Sequence, residues 1–367
     1  MKKSLIAIAA LAAAGAVSAQ SSVTVFGVVD TGFQRVQSDG AAGDVKTSRL
    51  ASGLQRTSRL GFRGVEDLGG GLKANFWLEA GIASDSGASA STAVFTNNQP
   101  TGNTVPSGAL SFNRRATVGL SGNWGEIRLG RDSVVGLLTQ ESFDPFDANG
   151  VGSQRQVVYA NAITGGSNVT GFGSVRASNM INYFSPNIAG FNGAVGYALN
   201  ENPSNAGATE DNGRLFTYRL GYANGPIDIK LGGTKIEFNT GDFQEITLGG
   251  SYDFGIVKVG LAAHRNEVKA PANVKTNVTM AYLTAPVGPG LVRVAYTKAD
   301  EKSAGNNDGN IFAIGYVYNL SKRTSVYTTF ATSKNKNGSA RYTVGSATAT
   351  VANGKTQGFD LGLSHAF

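Results

Sequence analysis

Basic side chains alternate with apolar ones in several segments, and this spacing marks the candidate functional residues. In one such segment Arg59 and Arg63 alternate with Leu60 and Phe62. A guanidinium group stays charged and is less tightly hydrated than an ammonium group, which suits transient pairing with an anion. Arginines gathered on one surface would therefore attract small anionic solutes.

Residues for nucleophilic catalysis or metal binding are sparse. The chain of 367 residues contains 0 Cys and 2 His, which are His264 and His365. A Ser-His-Asp triad or a zinc site would need partners for His264 that the spacing does not supply. The run Gly69-Gly70-Gly71 predicts a tight turn, because no helix follows it to form a phosphate loop. We therefore expect no enzyme activity, no cofactor and no metal.

Composition excludes two broad classes of protein. Gly supplies 50 residues without a three-residue repeat, which argues against a collagen-like fibre. The chain is 41% hydrophobic and 9% aromatic, which argues against disorder. Its mean hydropathy of −0.10 resembles that of a soluble protein.

Residues 1–19 are typical of a secretory signal peptide. Lys2 and Lys3 precede an apolar run from Leu5 to Val17, and Val17-Ser18-Ala19 resembles a cleavage site. Removal of this leader lowers the formal charge from +7 to +5 and leaves a single domain over 20–367. Because an exported protein leaves the cytoplasm, we expect no nucleic acid partner.

The remaining sequence alternates with a period of two. Between Glu245 and Phe254 one face carries Ile246 and Leu248, and the other carries Glu245 and Thr247. Such alternation predicts strands with one apolar and one polar face. The two faces average to a neutral hydropathy, which hides the pattern from bulk values.

Turn signals divide the chain at regular intervals. Seven short connections are predicted at 67–71, 121–125, 186–190, 224–226, 253–255, 286–290 and 319–322. Eight longer polar stretches lie near 38–46, 84–109, 132–173, 200–213, 239–242, 268–273, 300–309 and 335–354. Short turns at one end and long loops at the other are typical of a transmembrane β-barrel, here all-β with sixteen antiparallel strands.

Strand length and aromatic placement favour a membrane barrel over a soluble sandwich or propeller. The strands run about ten residues, the length of a tilted strand across a bilayer. Aromatic residues near the predicted turns suit an interfacial girdle; these are Trp124, Tyr183, Phe184, Phe191, Tyr222, Tyr252, Phe254, Tyr282 and Tyr318.

Alternation then assigns charged side chains to the lumen of the barrel, where they would set selectivity. The residues assigned inward are Arg59, Arg63, Glu79, Arg115, Arg176, Arg219, Lys230, Lys258 and Arg293. Strand alternation would point Arg114 outward. Arg114 lies at the loop end of its strand, however, where a bulge could turn its side chain inward. Parity therefore favours Arg115 over Arg114.

Several motifs together resemble the trimeric general porins of Gram-negative bacteria, of the Neisseria, Bordetella and Comamonas type. They are SRLGFRGVEDLGGG (58–71), LKANFWLEAG (72–81), SGNWGEIRLGRD (121–132), NYFSPNIAGFNGAVGYA (182–198), YNLSKRT (318–324) and the terminal HAF (365–367). The resemblance spans 20–367, although the external loops do not match closely. It implies sixteen strands, a homotrimer, and a C-terminal Phe367 read by the barrel-assembly machinery.

The resemblance also implies a third long loop folded into the lumen as a constriction, facing an arginine cluster. Arg59, Arg176 and one of Arg114 and Arg115 match the cluster, and Glu79 would hold the guanidinium groups in place. Apolar residues of the loop would anchor it to the wall; they are Leu137, Leu138, Phe143, Pro145 and Phe146. Its acidic residues would then face the arginines and create a transverse field; they are Glu141, Asp144 and Asp147. The alternative is an external lid.

The expected function is that of an outer-membrane diffusion porin that favours small anionic solutes. Its expected surroundings are outer-membrane lipid and lipopolysaccharide, and acidic loop residues such as Asp300, Glu301 and Asp308 could bind divalent cations there. A solvated loop is the simpler explanation of those residues. The alternatives are a substrate-specific porin for phosphate or small dicarboxylates, and a surface adhesin or structural barrel.

Overall fold

The computed structural model describes residues 22–89, 93–94, 103–104, 110–160, 176–269, 273–345, 347 and 350–367. The expected leader at 1–19 lies outside the described residues. Within the described ranges, sixteen antiparallel strands form one closed sheet, counting the two segments of β2 as one strand. They are β1 (Ser22–Ser38), β2 (Val45–Ser52 and Arg59–Gly69), β3 (Leu72–Gly81), β4 (Arg115–Gly122), β5 (Gly125–Ser133), β6 (Arg176–Phe184), β7 (Phe191–Ala198), β8 (Leu215–Asn224), β9 (Ile227–Ile236), β10 (Phe243–Asp253), β11 (Lys258–Val268), β12 (Val274–Val287), β13 (Gly290–Glu301), β14 (Asp308–Asn319), β15 (Thr324–Lys336) and β16 (Lys355–Ala366).

The alternation in the sequence becomes the two faces of the barrel. In β10, Ile246 and Leu248 point outward and are 44% and 54% exposed. Between them Glu245 and Thr247 point inward and are buried. Because successive side chains of a strand alternate sides, one apolar outer surface and one polar lumen result. The predicted fold class is confirmed.

The barrel closes between its first and last strands. β1 pairs with β16 in antiparallel register from Val28 with Ala366 to Ser38 with Thr356. The terminal Phe367 continues the pairing, since its amide donates to the Gly27 carbonyl at 3.1 Å and its carbonyl accepts from the Gly27 amide at 3.1 Å. A closed sheet leaves no unpaired edge facing the lipid.

Strand β2 is interrupted in the middle. Its first segment pairs with the distal half of β1, from Thr31 to Ser38, and its second with the proximal half, from Ser22 to Val28. Residues 53–58 leave the sheet between them, with Gly53 at a positive φ of 72°. The single strand expected from the sequence therefore consists of two segments.

Turns and loops segregate to opposite ends. Every predicted short connection joins neighbouring strands in the described sheet, and the longer stretches join them at the other end. A two-stranded ribbon of Ala93–Val94 and Asn103–Thr104 lies in the second long loop, and a 3-10 helix covers Gly207–Thr209. Two predicted girdle residues instead face inward: Phe184 stacks under the Arg128 guanidinium at 4.1 Å, and Tyr282 is buried.

The third long loop folds into the barrel. It carries α1 (Val135–Glu141) and α2 (Arg155–Val158), and α1 packs against β8, β9 and β10. No helix in the described part of the chain is long and apolar enough to cross a membrane.

Glycine allows α1 to approach the wall closely. The Gly136 amide donates to Thr217 Oγ1 at 2.8 Å, and a Cβ on Gly136 would lie 2.4 Å from the Gly233 carbonyl oxygen. On β10, a Cβ on Gly249 would lie 2.5 Å from the Phe143 ring. The lumen wall is thus contoured to receive the loop.

Gly249→Val should dislodge the in-folded loop. The added side chain overlaps Phe143, and overpacking of this kind costs about 1–3 kcal/mol. We expect faster amide hydrogen exchange in α1 and a lower free energy of unfolding. The neighbouring Gly250→Val is the control, because Gly250 faces outward with its nearest atom at 3.4 Å. Equal effects of the two substitutions would contradict this packing.

Candidate functional site

A polar cavity of about 460 Å³ lies between the in-folded loop and the opposite wall. Of the described residues, five arginines and two carboxylates line it, together with Thr57, Ala148 and Asn149. The charged residues are Arg56, Arg59, Arg114, Arg155, Arg176, Glu141 and Asp147. The cavity therefore carries more positive than negative formal charge.

Glu79 of β3 holds two of these arginines. Its Oε1 accepts from Arg114 Nε at 2.5 Å and lies 3.5 Å from Arg59 Nη1, while its Oε2 accepts from Trp77 Nε1 at 3.1 Å. The Glu79 side chain is only 9% exposed. One carboxylate thus fixes two guanidinium groups and reduces their mutual repulsion.

Arg114, rather than Arg115, lies in the cavity with Arg59 and Arg176. β4 begins at Arg115, so strand parity does not govern Arg114, which precedes the strand. Arg115 also faces the lumen, but its guanidinium stacks on Trp77 at 4.7 Å and lies 3.7 Å from Asp132. The two adjacent arginines therefore serve different parts of the lumen.

The loop contributes the acidic side of the cavity. Glu141 ends α1 and accepts from Arg155 Nη1 of α2 at 3.2 Å, and Asp147 lies in the turn between the helices. Burial raises the pKa of Glu141 above its usual range, and Arg155 opposes that shift. Burial also raises the pKa of Asp147, against the opposing charge of Arg293.

Asp144, which the sequence places opposite the arginines, is turned into the loop. Its Oδ1 accepts from the Phe146 amide at 2.9 Å and its Oδ2 from the Gln154 amide at 2.8 Å. Burial raises the pKa of Asp144 to about 7. Asp144 is not among the residues lining the cavity, because its carboxylate braces the turn between α1 and α2.

Arg293 of β13 holds the loop against the inner wall of the barrel. Its Nη1 donates to the Pro145 carbonyl at 3.2 Å and its guanidinium lies 4.8 Å from the centre of the Phe146 ring. Arg293 is 4% exposed, so it faces inward as alternation predicts but is covered by the loop. The apolar anchors Leu137, Phe143 and Phe146 are also buried.

The segment around α2 is held by β10 and β11. Tyr159 Oη donates to Glu245 Oε2 at 2.9 Å, and Asn266 Nδ2 donates to the Val158 carbonyl at 2.7 Å. The His264 ring meets Tyr159 edge-on at 5.5 Å. These contacts give the acidic side of the cavity a fixed position.

The interruption of β2 positions the basic side, and Asp30 of β1 holds it. The Asp30 carboxylate accepts from the amides of Leu54, Gln55 and Arg56 at 2.9, 3.3 and 3.1 Å. It also accepts from Tyr327 Oη at 2.7 Å and is completely buried. Several backbone donors converging on one carboxylate fix the interrupted segment and hence Arg56.

A second cavity of about 400 Å³ lies nearer the short turns. The Arg63 guanidinium lies 5.3 and 5.2 Å from the centres of the Phe26 and Trp77 rings, which contact each other edge to face. Arg115 and Arg128 also line this cavity, and Arg128 donates to Glu126 Oε2 at 2.7 Å. Basic side chains thus continue along the lumen beyond the narrow region.

The remaining predicted lumen residues lie apart from the cavity. Arg219 is on the inward face of β8, Lys230 pairs with Asp228 at 2.6 Å, and Lys258 pairs in register with Asp253 near the short turns. Phe367 lies at the β1–β16 seam, and its role as an assembly signal stays a prediction.

The acidic loop residues are engaged within the protein. Asp300 pairs with Lys302 at 2.7 Å, Glu301 accepts from the Asn307 amide at 3.0 Å, and Asp308 accepts from Asn337 Nδ2 at 2.9 Å. Over the described ranges, no group of three or more His, Cys, Asp or Glu side chains is placed to hold a metal ion.

Sequence reasoning missed Arg56, Arg155 and Arg128. Arg128 could have been found, because it alternates with outward Ile127 and Leu129. Arg56 and Arg155 lie in an interruption and a loop, where the period of two gives no information.

Comparison with known proteins agrees with this architecture. The sequence profile described as "Gram-negative porin" matches residues 5–338. The chain is 41% identical over 378 residues to outer membrane porin protein 32 of Delftia acidovorans, covering 100% of both chains. It is 33% identical to an outer membrane porin protein of Bordetella pertussis, covering 91% of this chain and 95% of that one. An anion-selective porin from Comamonas acidovorans superposes with a TM-score of 0.79 at 38% identity, covering 95% and 100%.

Asp30→Ala should release the interrupted segment of β2. Buried donors without an acceptor cost about 1–3 kcal/mol each, so we expect a loss of about 3 kcal/mol or more in unfolding free energy. The amides of residues 54–56 should exchange faster with solvent. Asp67→Ala is the control, since Asp67 accepts one amide, that of Gly69, in an exposed turn. Unchanged protection of residues 54–56 in Asp30→Ala would contradict this role.

Proposed function

The chain belongs to the Gram-negative porin family, and from this premise we propose that it forms an anion-preferring diffusion pore in the outer membrane. Small hydrophilic solutes would pass by diffusion through a water-filled lumen narrowed by the in-folded loop. The chain acts in this proposal as a channel rather than an enzyme.

The observation that carries the anion preference is the charge of the narrow region. Five arginines and two carboxylates line the cavity in the described structure, and Glu79 lies directly behind Arg59 and Arg114. Three of the arginines belong to the barrel wall or its edges, namely Arg59, Arg114 and Arg176. Charge focused in a low-dielectric cleft acts on a passing ion more strongly than charge in bulk water.

The arrangement supports conduction rather than tight binding. Glu79 and the loop carboxylate Glu141 are both within ion-pairing distance of arginines that line the cavity. An entering anion therefore meets partly compensated guanidinium groups, which attract it without holding it. Conduction requires such weak binding, because the ion must also leave.

Two groups of arginines lie at different depths in the lumen and would have different roles. The cavity residues lie where the in-folded loop narrows the barrel, so they would select passing solutes by both size and charge. Arg63, Arg115 and Arg128 lie towards the short turns, where they would maintain a positive potential along the exit path. Selectivity would then arise at the narrow region, and the second group would favour passage of the same ions.

A homotrimer is part of the proposal. Exposed outward aromatics near the short turns occur on β6, β7, β10 and β14 as Tyr183, Phe191, Tyr252 and Tyr318. The corresponding outward positions on β1, β4 and β5 carry the aliphatic residues Val25, Leu120 and Ile127, and the exposed Trp124 of the β4–β5 turn stacks on Tyr183 at the β6 border of this side. Aromatic girdles mark lipid contact, so the aliphatic side supports a contact with other copies of the chain.

Arg59→Glu combined with Arg176→Glu should weaken or reverse the anion preference. Both side chains line the cavity, so the double reversal replaces two attractive charges with repulsive ones. We expect the anion-to-cation permeability ratio to fall about tenfold or more, which corresponds to about 1.4 kcal/mol in the relative free energy of entry. The measurement is the reversal potential of the protein in a planar bilayer under a salt gradient.

The matched control reverses the same number of charges outside the lumen. Lys322→Glu with Arg323→Glu changes two exposed residues in the last short turn. We expect the ratio to stay close to that of the unaltered protein. A cation preference in the unaltered protein, or the same ratio in both double variants, would refute the proposed filter.

Acidification should increase the anion preference. Burial raises the pKa of Glu141 and Asp147, so protonation removes their negative charge at a higher pH than for exposed carboxyl groups. Between pH 8 and pH 5 we expect the permeability ratio to rise about threefold, or roughly 0.7 kcal/mol. Glu141→Gln with Asp147→Asn should reduce this dependence to the part contributed by Asp144, whose pKa is about 7. An unchanged pH dependence in that variant would contradict the assignment.

A further inference from the structure

A straight row of lysines crosses the outer face of the barrel near the long loops. In the pairing register Lys298 of β13 faces Asn310 of β14, Asn310 faces Lys334 of β15, and Lys334 faces Lys355 of β16. Adjacent strands are about 4.8 Å apart, so the row extends over about 14 Å. We refer to Lys298, Lys334 and Lys355 as the outer lysine row.

The row faces away from the lumen. Its members share parity with the outward residues Tyr296, Phe312, Phe330 and Phe359, which are 37–44% exposed. The intervening positions, such as Ala299 and Ser333, point inward and are completely buried. Charged side chains thus stand on the same surface as the apolar band that meets the lipid.

The row marks the upper border of that apolar band. Tyr296 and Phe312 form the outward pair directly on the short-turn side of Lys298 and Asn310. Phe330 and Phe359 form an outward pair four positions from Lys334 and Lys355. Aromatic residues occupy the membrane interface, so the lysines lie at the level of the lipid headgroups.

Within the described ranges, the side chains of the three lysines have no acidic partner. None of Lys298, Lys334 and Lys355 forms an ion pair with another described residue. The nearby acids are engaged elsewhere, since Asp300 pairs with Lys302 and Asp308 accepts from Asn337. Asp39 lies beside Lys355, but its carboxylate accepts from the backbone amide of that residue. The row therefore holds positive charge that no described carboxylate pairs with.

An external anion would stabilise such a row. Lys334 and Lys355 stand directly opposite each other, and like charges at opposed positions destabilise a sheet. An anion bound between them would remove this repulsion and use both ammonium groups. The length of the row also suits a ligand with more than one anionic group.

We propose that the outer lysine row binds the phosphate groups of a phosphorylated glycolipid, lipopolysaccharide, in the outer leaflet. The long loops mark the external end of the barrel, where that leaflet lies. The acyl chains of the same lipid would cover the aromatic residues below the row. This inference rests on the outward surface alone and is independent of the ion preference of the lumen.

The test compares lipid binding in two matched triple variants of the full chain. Lys298→Gln, Lys334→Gln and Lys355→Gln remove the outer lysine row. Lys235→Gln, Lys275→Gln and Lys302→Gln remove three lysines that pair with Glu237, Glu267 and Asp300 at the same end of the barrel. The probe is bisphosphorylated lipid A in detergent micelles, titrated against the solubilised, refolded protein.

Affinity should fall about fivefold for each row lysine removed, which is the effect of about 1 kcal/mol per basic residue near an anionic membrane surface. The row variant should thus lose about a hundredfold, whereas the control variant should lose little. Replacement of the row by Lys298→Arg, Lys334→Arg and Lys355→Arg should restore binding. Dephosphorylated lipid A should bind the unaltered protein as weakly as lipid A binds the row variant.

Four results would overturn the proposal. Equal losses in the two triple variants would show a general charge effect, and equal binding of dephosphorylated lipid A would remove phosphate as the ligand. Full displacement by millimolar inorganic phosphate would indicate a simple anion site rather than a lipid site. The mass of the assembled oligomer should also be measured for each variant. Loss of assembly in the row variant alone would show that the row forms a contact between chains rather than a lipid site.

Discussion

The structure depends on the requirement that every backbone amide and carbonyl facing lipid be paired within the protein. Closure between β1 and β16 meets this requirement, and the terminal Phe367 completes the seam through Gly27. A closed sheet has two faces, so the period of two in the sequence separates a lipid surface from a lumen. The chemistry of the protein then depends on what stands on the inward face and what is folded against it.

Two departures from regular strand geometry build the narrow region. The interruption of β2 is tolerated because Asp30 supplies acceptors for the amides that leave the sheet. The in-folded loop is tolerated because the glycines of the wall leave room for α1 and Phe143. One departure positions Arg56 and the other positions Glu141, so the opposite charges of the cavity are set by fixed backbone rather than by flexible side chains.

Alternation in the sequence was sufficient to predict the barrel, its turns and the inward direction of Arg59, Arg63 and Arg293. It could not predict contacts that depend on the third dimension. Arg293 faces inward but is covered by Phe146, and Asp144 is turned into its own loop by two amides. Arg114 lies before its strand begins, where a rule about strands no longer applies. Regular elements were therefore predictable, and the details of the site were not.

The central claim is that anions pass between the in-folded loop and the guanidinium groups of Arg59, Arg114 and Arg176. The most direct measurement is the anomalous scattering of crystals soaked in bromide and, separately, in rubidium. Our account predicts bromide within ion-pairing distance of those arginines and no rubidium there. Rubidium in the cavity, or bromide confined to the external surface, would contradict it.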